Sequence, residues 1–378
     1  LQEAEISIRH SIDINPTLFN SHFLLGTILL EQKKLQEAEI SIRKSIEINP
    51  NLAIAHTHLG IIFRDLGKLQ DAEVSLRKAI ELKPDLAPAY SNLGNVLKDL
   101  GKLQDAELSI RKAIELNPNL AGAAWNLYGL SSNIKQAEER IIQCLNIDNN
   151  HLQAKLTLSA LKLYQGDHSI FNNLNNSSHK NHPWISSFQW VLDLPKAPKL
   201  FFHRWAFYDA MINESDIKRP FYEFGVWRGA SFTYLINTFK KGYGFDTFEG
   251  LPEEWHNLKK GTYSSEGIIP TVEGGTFIEG KFEDTLPSFF AEPRPMASII
   301  NFDADLYSST ICALNHSKHV IDEDTILIFD EFLMNKDWEQ DEYRALNEFC
   351  LTNNFNYQVL AISYMTGQVA VKIIDLNL

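Results

Sequence analysis

Apolar positions over residues 1–118 recur at helical spacing, and the pattern itself repeats every 34 residues. Leu25, Leu59, Leu93 and Leu127 mark one phase, Gly26, Gly60 and Gly94 the next position, and Ala4, Ala38, Ala72 and Ala106 a third. Pro16, Pro50, Pro84 and Pro118 punctuate it, because a residue without an N–H ends a helix. The spacing predicts two antiparallel helices per repeat, with glycine and alanine where a larger side chain would hold the partner helix away. After Pro118 the pattern frays. Tyr128 replaces the glycine, Ala137 arrives three residues early, and Asn149 stands where proline is due. A last helix, about Leu152–Tyr164, is expected to cap the stack.

From Lys199 the pattern changes to short apolar runs alternating with helical stretches. Strands are predicted at Phe221–Val226, Gly242–Asp246, Thr276–Glu279, Ala297–Asp303 and Thr325–Asp330, with a closing hairpin of Tyr357–Ser363 and Gln368–Ile374. Helices are predicted at Leu200–Ile212, Ala230–Phe239, Leu306–Val320 and Asp341–Asn353. Alternation of this kind implies an α/β, doubly wound, mostly parallel sheet, to which the hairpin adds one antiparallel strand. Between the two patterns, residues 166–198 turn rich in Asn, Ser and His and read as a linker, whose second half, with Trp184, Ile185, Phe188, Trp190 and Val191, is expected to pack on one domain or serve as a substrate lid. His179 and His182 in that stretch read as solvated loop residues. The division is therefore 1–165, a helical repeat; 166–198, a linker; and 199–378, the α/β domain.

The heptapeptide Gly67-Lys-Leu-Gln-Asp-Ala-Glu73 returns unchanged at Gly101–Glu107. With the phase above, residues 1–118 resemble the tetratricopeptide repeat, an all-α solenoid. The resemblance implies a concave face that takes an extended protein or peptide partner. The repeat phase assigns to it Asn20, Phe23 and Thr27, then Ile54, Thr57 and Arg64, then Ser91, Asn95 and Lys98. A spacer or oligomerisation arm is the alternative.

Chemistry concentrates in the second pattern. Three of its strands end in an acid, Asp246, Asp303 and Asp330, and ligands bind such sheets at the strands' carboxyl ends. The first strand runs Glu223-Phe-Gly-Val-Trp-Arg-Gly-Ala-Ser231, so the glycines fall at Gly225-x-x-x-Gly229, without the G-x-G-x-x-G that cradles a pyrophosphate. Glu223 puts negative charge where phosphate would sit. A cationic, phosphate-free nucleoside cofactor fits better: S-adenosylmethionine carries a ribose for Asp246 and an amino group for a carboxylate.

Together with Gly244-Phe-Asp-Thr-Phe-Glu-Gly-Leu-Pro252, Phe282-Glu-Asp-Thr-Leu-Pro287, Phe302-Asp-Ala-Asp-Leu-Tyr-Ser-Ser-Thr310 and Phe329-Asp-Glu-Phe332, this stretch resembles class I S-adenosylmethionine-dependent methyltransferases. The resemblance is to their macrocin and mycinamicin sugar O-methyltransferase group. It implies that Glu223 and Ser231 hold the methionine amino and carboxylate ends, that Trp227 lines that pocket, and that Gly225 and Gly229 let the backbone approach. Asp246 would take the ribose, with Asp303 at the neighbouring strand end also counted in the cofactor site. Phe282 and Glu283 lie where the group contacts adenine; core packing is the equal alternative for Phe282. Metal-dependent members hold Mg²⁺ at the ends of two strands, which here are Asp303 and the Asp330-Glu331 pair. The magnesium would hold the acceptor hydroxyls and ease their deprotonation. This chain departs from the usual Asp-Asp there. Asp305 is a spare ligand or the cap of the following helix. His256 and Glu342 read as a solvated loop histidine and a helix N-terminal acid, and the general base is unassigned.

Length and charge sharpen the picture. At 378 residues the chain suggests about two domains. The net charge of −13 disfavours a nucleic acid partner. Residues 1–165 carry 19 acidic and 18 basic side chains, residues 166–378 carry 29 and 17, so the excess belongs to the second region. No run of about 18 apolar residues predicts a membrane span. Cys144, Cys312 and Cys350, in no paired spacing, suggest a reduced, cytoplasmic protein. A start at Leu1 in mid-repeat reads as a piece of a longer chain. The expectation is a bacterial O-methyltransferase acting on a sugar or polyol hydroxyl, free or on a glycan, behind a repeat arm. The rivals are a repeat scaffold with an inert methyltransferase-like domain, and a protein methyltransferase.

Overall fold

A computed structural model describes residues 1–374, which group into two compact units: Leu1–Leu130 with Glu139–His151, and Ser131–Glu138 with the described residues from Leu152 onward.

The first unit is a helical solenoid. Its helices are α1 (Gln2–Ile14), α2 (Phe19–Glu31), α3 (Leu35–Ile48), α4 (Ala53–Asp65), α5 (Leu69–Leu82), α6 (Ala87–Asp99), α7 (Leu103–Leu116), α8 (Ala121–Tyr128) and, from Glu139 on, α9 (Ile134–Ile147). Helices α3 and α5 stop two residues before Pro50 and Pro84, as the proline period requires. The glycines act as expected. A Cβ on Gly26, Gly60 or Gly94 would meet Ile42, Leu76 or Ile110 at 2.6, 2.5 or 2.3 Å, so α2, α4 and α6 approach their partners only because no side chain intervenes. Ala38, Ala72 and Ala106 are fully buried on the facing helices. Where Tyr128 replaces the glycine, α8 closes after eight residues.

The second unit begins earlier than the composition suggests. Helix α10 (Leu152–Tyr164), expected to cap the solenoid, groups instead with α11 (Ser169–Asn175) and α12 (Pro183–Asp193). Residues 166–198 are thus not a bare linker. Pro183 sits at the first helical position of α12 and His182 caps it, its Nδ1 accepting the Trp184 N–H at 3.3 Å. Phe188 is fully buried against Tyr364, the Trp184 indole donates to the Met334 carbonyl, and the Trp338 indole donates to Ser186 at 2.9 Å. The polar run over 172–182 hid this helical segment.

Among the described residues the remainder carries a mixed sheet of eight strands: β1 (Lys199–Phe201), β2 (Phe221–Phe224), β3 (Gly242–Asp246), β4 (Gly275–Glu279), β5 (Ile299–Phe302), β6 (Ile326–Phe329), β7 (Asn356–Ser363) and β8 (Val369–Ile374). Their order is β1-β7-β8-β6-β5-β2-β3-β4, with only β8 antiparallel to its neighbours. Strand β1, absent from the sequence reading, pairs parallel with β7. Every residue of β2, β5 and β6 is buried, and since successive side chains point to opposite faces, both faces are covered. Helices α13 (Arg204–Asn213), α14 (Ala230–Phe239), α15 (Phe282–Phe290), α16 (Tyr307–Ser317) and α17 (Glu342–Asn353) connect the strands. Among the described residues no helix is long and apolar enough to cross a membrane, and the three cysteines are free thiols.

Candidate cofactor and acceptor site

Strand order reverses at β2. From it the chain continues through β3 and β4 on one side, while β5 and β6 lie on the other. Such a switch leaves a crevice at the strands' carboxyl ends. Gly225, the first residue after β2, has φ +90, and a Cβ there would lie 1.8 Å from the Asp303 carbonyl oxygen at the end of β5. Only glycine lets these two strand ends close up.

Glu223 lies within β2 and is fully buried. Ser231, in the first turn of α14, donates to its Oε1 at 2.6 Å, while Oε2 has no hydrogen-bond partner among the described residues. Burial pushes its pKa up to about 8; the Ser231 hydrogen bond opposes the rise and the negative charge of Asp330 adds to it. An orphaned carboxylate oxygen in the interior is costly unless a donor arrives, and a ligand ammonium would satisfy it. Glu223, Ser231 and the close approach at Gly225 therefore fit S-adenosylmethionine.

Asp246 is more occupied than the ribose reading supposes. Its Oδ2 accepts the N–H groups of Val226 and Trp227, and its Oδ1 that of Phe248, all at 2.7 Å. The carboxylate thus pins the loop after β2, leaving lone-pair capacity for a further donor. That loop is strained: Trp227 has φ +50, and its indole lies edge-on to Tyr263 with ring centroids 5.6 Å apart. Gly229, at φ +73, opens α14 with Pro270 against it. Phe282 packs its edge on Phe224 at 5.6 Å, the core contact weighed for it, and Glu283 is exposed and paired with Lys281 at 3.3 Å.

The acids expected to hold magnesium are close in electrostatic terms but do not form a ligand set. Asp330, buried at the end of β6, receives Arg204 Nη2 on both oxygens, at 3.2 and 3.0 Å, and the Gln368 amide on Oδ1. Burial, then Asp330, raises Asp303 well above the carboxylate range and Glu331 to about 7. No three His, Cys, Asp or Glu among the described residues come together to hold a metal ion. With a guanidinium already on Asp330, Asp303, Asp330 and Glu331 as placed do not fit Mg²⁺.

Three side readings change. Asp305 does not cap α16, which starts at Tyr307 with no side-chain cap; it has φ +59, and burial together with Glu331 and Asp330 raises its carboxyl. Glu342 does open α17 but is fully buried: Oε2 accepts the Glu331 N–H at 3.1 Å, and Oε1 has no hydrogen-bond partner among the described residues. His256 is no solvated histidine, since Nδ1 meets Asp337 and Nε2 meets Asp341, each at 3.1 Å. Arg204 and Gln368 were not legible, because no motif marks them and they reach Asp330 from across the chain.

The repeat face also differs. Thr57, Ser91 and Asn95 are buried, with Thr57 bonded to the Ala53 carbonyl and Ser91 accepting from Asn126 at 3.1 Å. Burial takes these three off the open surface, and Asn95 Oδ1 has no hydrogen-bond partner among the described residues.

Among known proteins, family models for the tetratricopeptide repeat match residues 19–52, 60–101 and 87–120, so the repeats are present. A search of curated proteins finds no match. Similar solved structures include pilF of Pseudomonas aeruginosa, at 23% identity over 41% of this chain and 73% of that one, with a TM-score of 0.38. YrrB, described as a tetratricopeptide protein with an unusual peptide-binding site, is 17% identical over 45% and 91% with a TM-score of 0.34. TTC0263 of Thermus thermophilus is 18% identical over 42% and 89%, at 0.39.

Proposed function

We propose that the second unit is an S-adenosylmethionine-dependent O-methyltransferase acting on a sugar or polyol hydroxyl, and that its fold is the class I methyltransferase fold. The observation that carries the reading is Glu223, a buried carboxylate with one unpartnered oxygen at the strand switch. Ser231 orients this group, and once ionised its free oxygen accepts the ligand's ammonium. Asp246 holds the Val226–Trp227 backbone in place beside it. When bound, S-adenosylmethionine supplies a sulfonium methyl open to in-line attack. On the acceptor side, Glu331, pushed up to about 7 by burial and then by the negative charge of Asp330, suits proton abstraction near neutrality. Arg204 supplies fixed positive charge to this carboxylate cluster. No step runs through a metal.

The tetratricopeptide repeats support a protein-interaction role for the first unit. A repeat scaffold with an inert second unit is the rival, and a protein acceptor presented by the repeats is the variant of the enzyme reading. Titration calorimetry decides between enzyme and scaffold: wild type is expected to bind S-adenosylmethionine and Glu223→Ala to bind it at least about tenfold more weakly, as loss of a charged hydrogen bond implies. Wild type without binding would remove the enzyme. A screen of S-adenosylhomocysteine release over nucleotide sugars, glycans and peptides would then name the acceptor.

A further inference from the structure

The second helix of each repeat carries an aliphatic side chain on its outer face. Ile6, Ile40, Val74 and Leu108 stand 34 residues apart on α1, α3, α5 and α7, and they are 68, 69, 68 and 67% exposed. Single exposed aliphatics are ordinary, but a row of four at one register is a patch. The identity drifts between Ile, Val and Leu while the aliphatic character holds, so simple duplication of one residue does not account for it. The row ends at α9, where the phase set by Ala137 puts the exposed Glu139.

Charged rows flank the aliphatic one. Three residues before it on each helix stand Glu3, Glu37, Asp71 and Asp105; four residues after it stand His10, Lys44, Lys78 and Lys112. This spacing puts acid, aliphatic and base on one helix face. Asp71 and Asp105 make no ion pair among the described residues. Lys44 and Lys78 meet only Glu47 and Glu81 on their own helices, each at 2.9 Å, and exposed pairs of that kind are weak enough to exchange. Glu37 is held by Arg9 at 3.0 Å, also at the surface.

A face ordered acid, aliphatic, base is complementary to itself when turned half round. From this pattern we propose that the outer face of α1, α3, α5 and α7 docks a second copy of this chain about a two-fold axis. The axis lies in the contact plane and runs across the helices, so each helix meets its own counterpart in the second copy, antiparallel. Ile40 then packs on Ile40 of the second copy and Val74 on Val74 of the second copy. Asp71 meets Lys78 of the second copy, and Glu37 meets Lys44 of the second copy. The surface is separate from any concave-face ligand and does not depend on methyltransferase activity.

Sedimentation velocity of the full chain over a range of concentrations tests this. Wild type is expected to dimerise reversibly. Ile40→Glu with Val74→Glu sets like charges face to face and is expected to weaken the dimer by roughly a hundredfold or more, with circular dichroism unchanged. Asp71→Lys or Lys78→Asp alone should each weaken it about tenfold, and the two together should restore it, because the two-fold arrangement sets Asp71 of one copy on Lys78 of the other. Wild type that stays monomeric throughout, a dimer indifferent to the glutamates, or a double charge swap that fails to restore association would each overturn the proposal.

Discussion

Glu223 and Gly225 show how much one residue can fix. Glu223 was legible because a carboxylate two residues before a glycine, at a strand end, has few structural uses. Its cost follows from burial. Between pH 4.5 and about 8 the folded protein keeps a proton on it that the unfolded chain has released. Its contribution to stability is therefore full below pH 4.5 and falls as pH rises through that window. Glu223→Gln should flatten the decline, by at most about 1.4 kcal/mol per pH unit, in urea unfolding taken across the range. Parallel curves for the two proteins would show that Glu223 is ionised in the folded state. Gly225 admits no side chain: Gly225→Ala sets a Cβ against the Asp303 carbonyl at positive φ. It should lower stability by more than about 2 kcal/mol, readable by thermal unfolding. An unchanged midpoint would mean that the two strand ends can separate freely. Arg204 lies 126 residues from Asp330, and Glu342 is 11 from Glu331 across a loop; no spacing rule pairs such residues before the sheet assembles.

At the scale of elements, periodicity succeeded where packing is local and failed where it is not. Each repeat glycine answers to a side chain on the next helix, so the sequence repeat and the contact repeat coincide. Gly60→Ala, which favours an isolated helix by about 1 kcal/mol, should instead destabilise the solenoid, because its Cβ meets Leu76 at 2.5 Å. A stabilised variant in chemical denaturation would contradict the close approach of α4 and α5. Helix α12 was missed because the residues before it are polar and its apolar ones serve distant partners. As an integral element it should be sensitive to Phe188→Ala, at a cost of roughly 3–5 kcal/mol in unfolding of the second unit. A mobile lid would leave stability unchanged and alter only turnover.

For the whole molecule, the charge division drawn from composition has a structural counterpart. Much of the second region's excess converges on one cluster, where Asp303, Asp305, Asp330, Glu331 and Glu342 influence one another around Arg204. With that arginine as the resident cation, methyl transfer is expected to persist in EDTA. Loss of transfer that magnesium restores would mean the acids regroup around an ion. The sequence by itself determined two architectures, the helix pairing of the first, and the strands that end in acids, because each rests on a period or a motif confined to a few dozen residues. Tertiary structure alone decided that α10 to α12 belong with the sheet, that β8 enters antiparallel between β6 and β7, and that Asp246 pins a loop. It also decided that a guanidinium stands on Asp330. Those outcomes depend on which groups, far apart in the chain, must share one buried space and satisfy one another there.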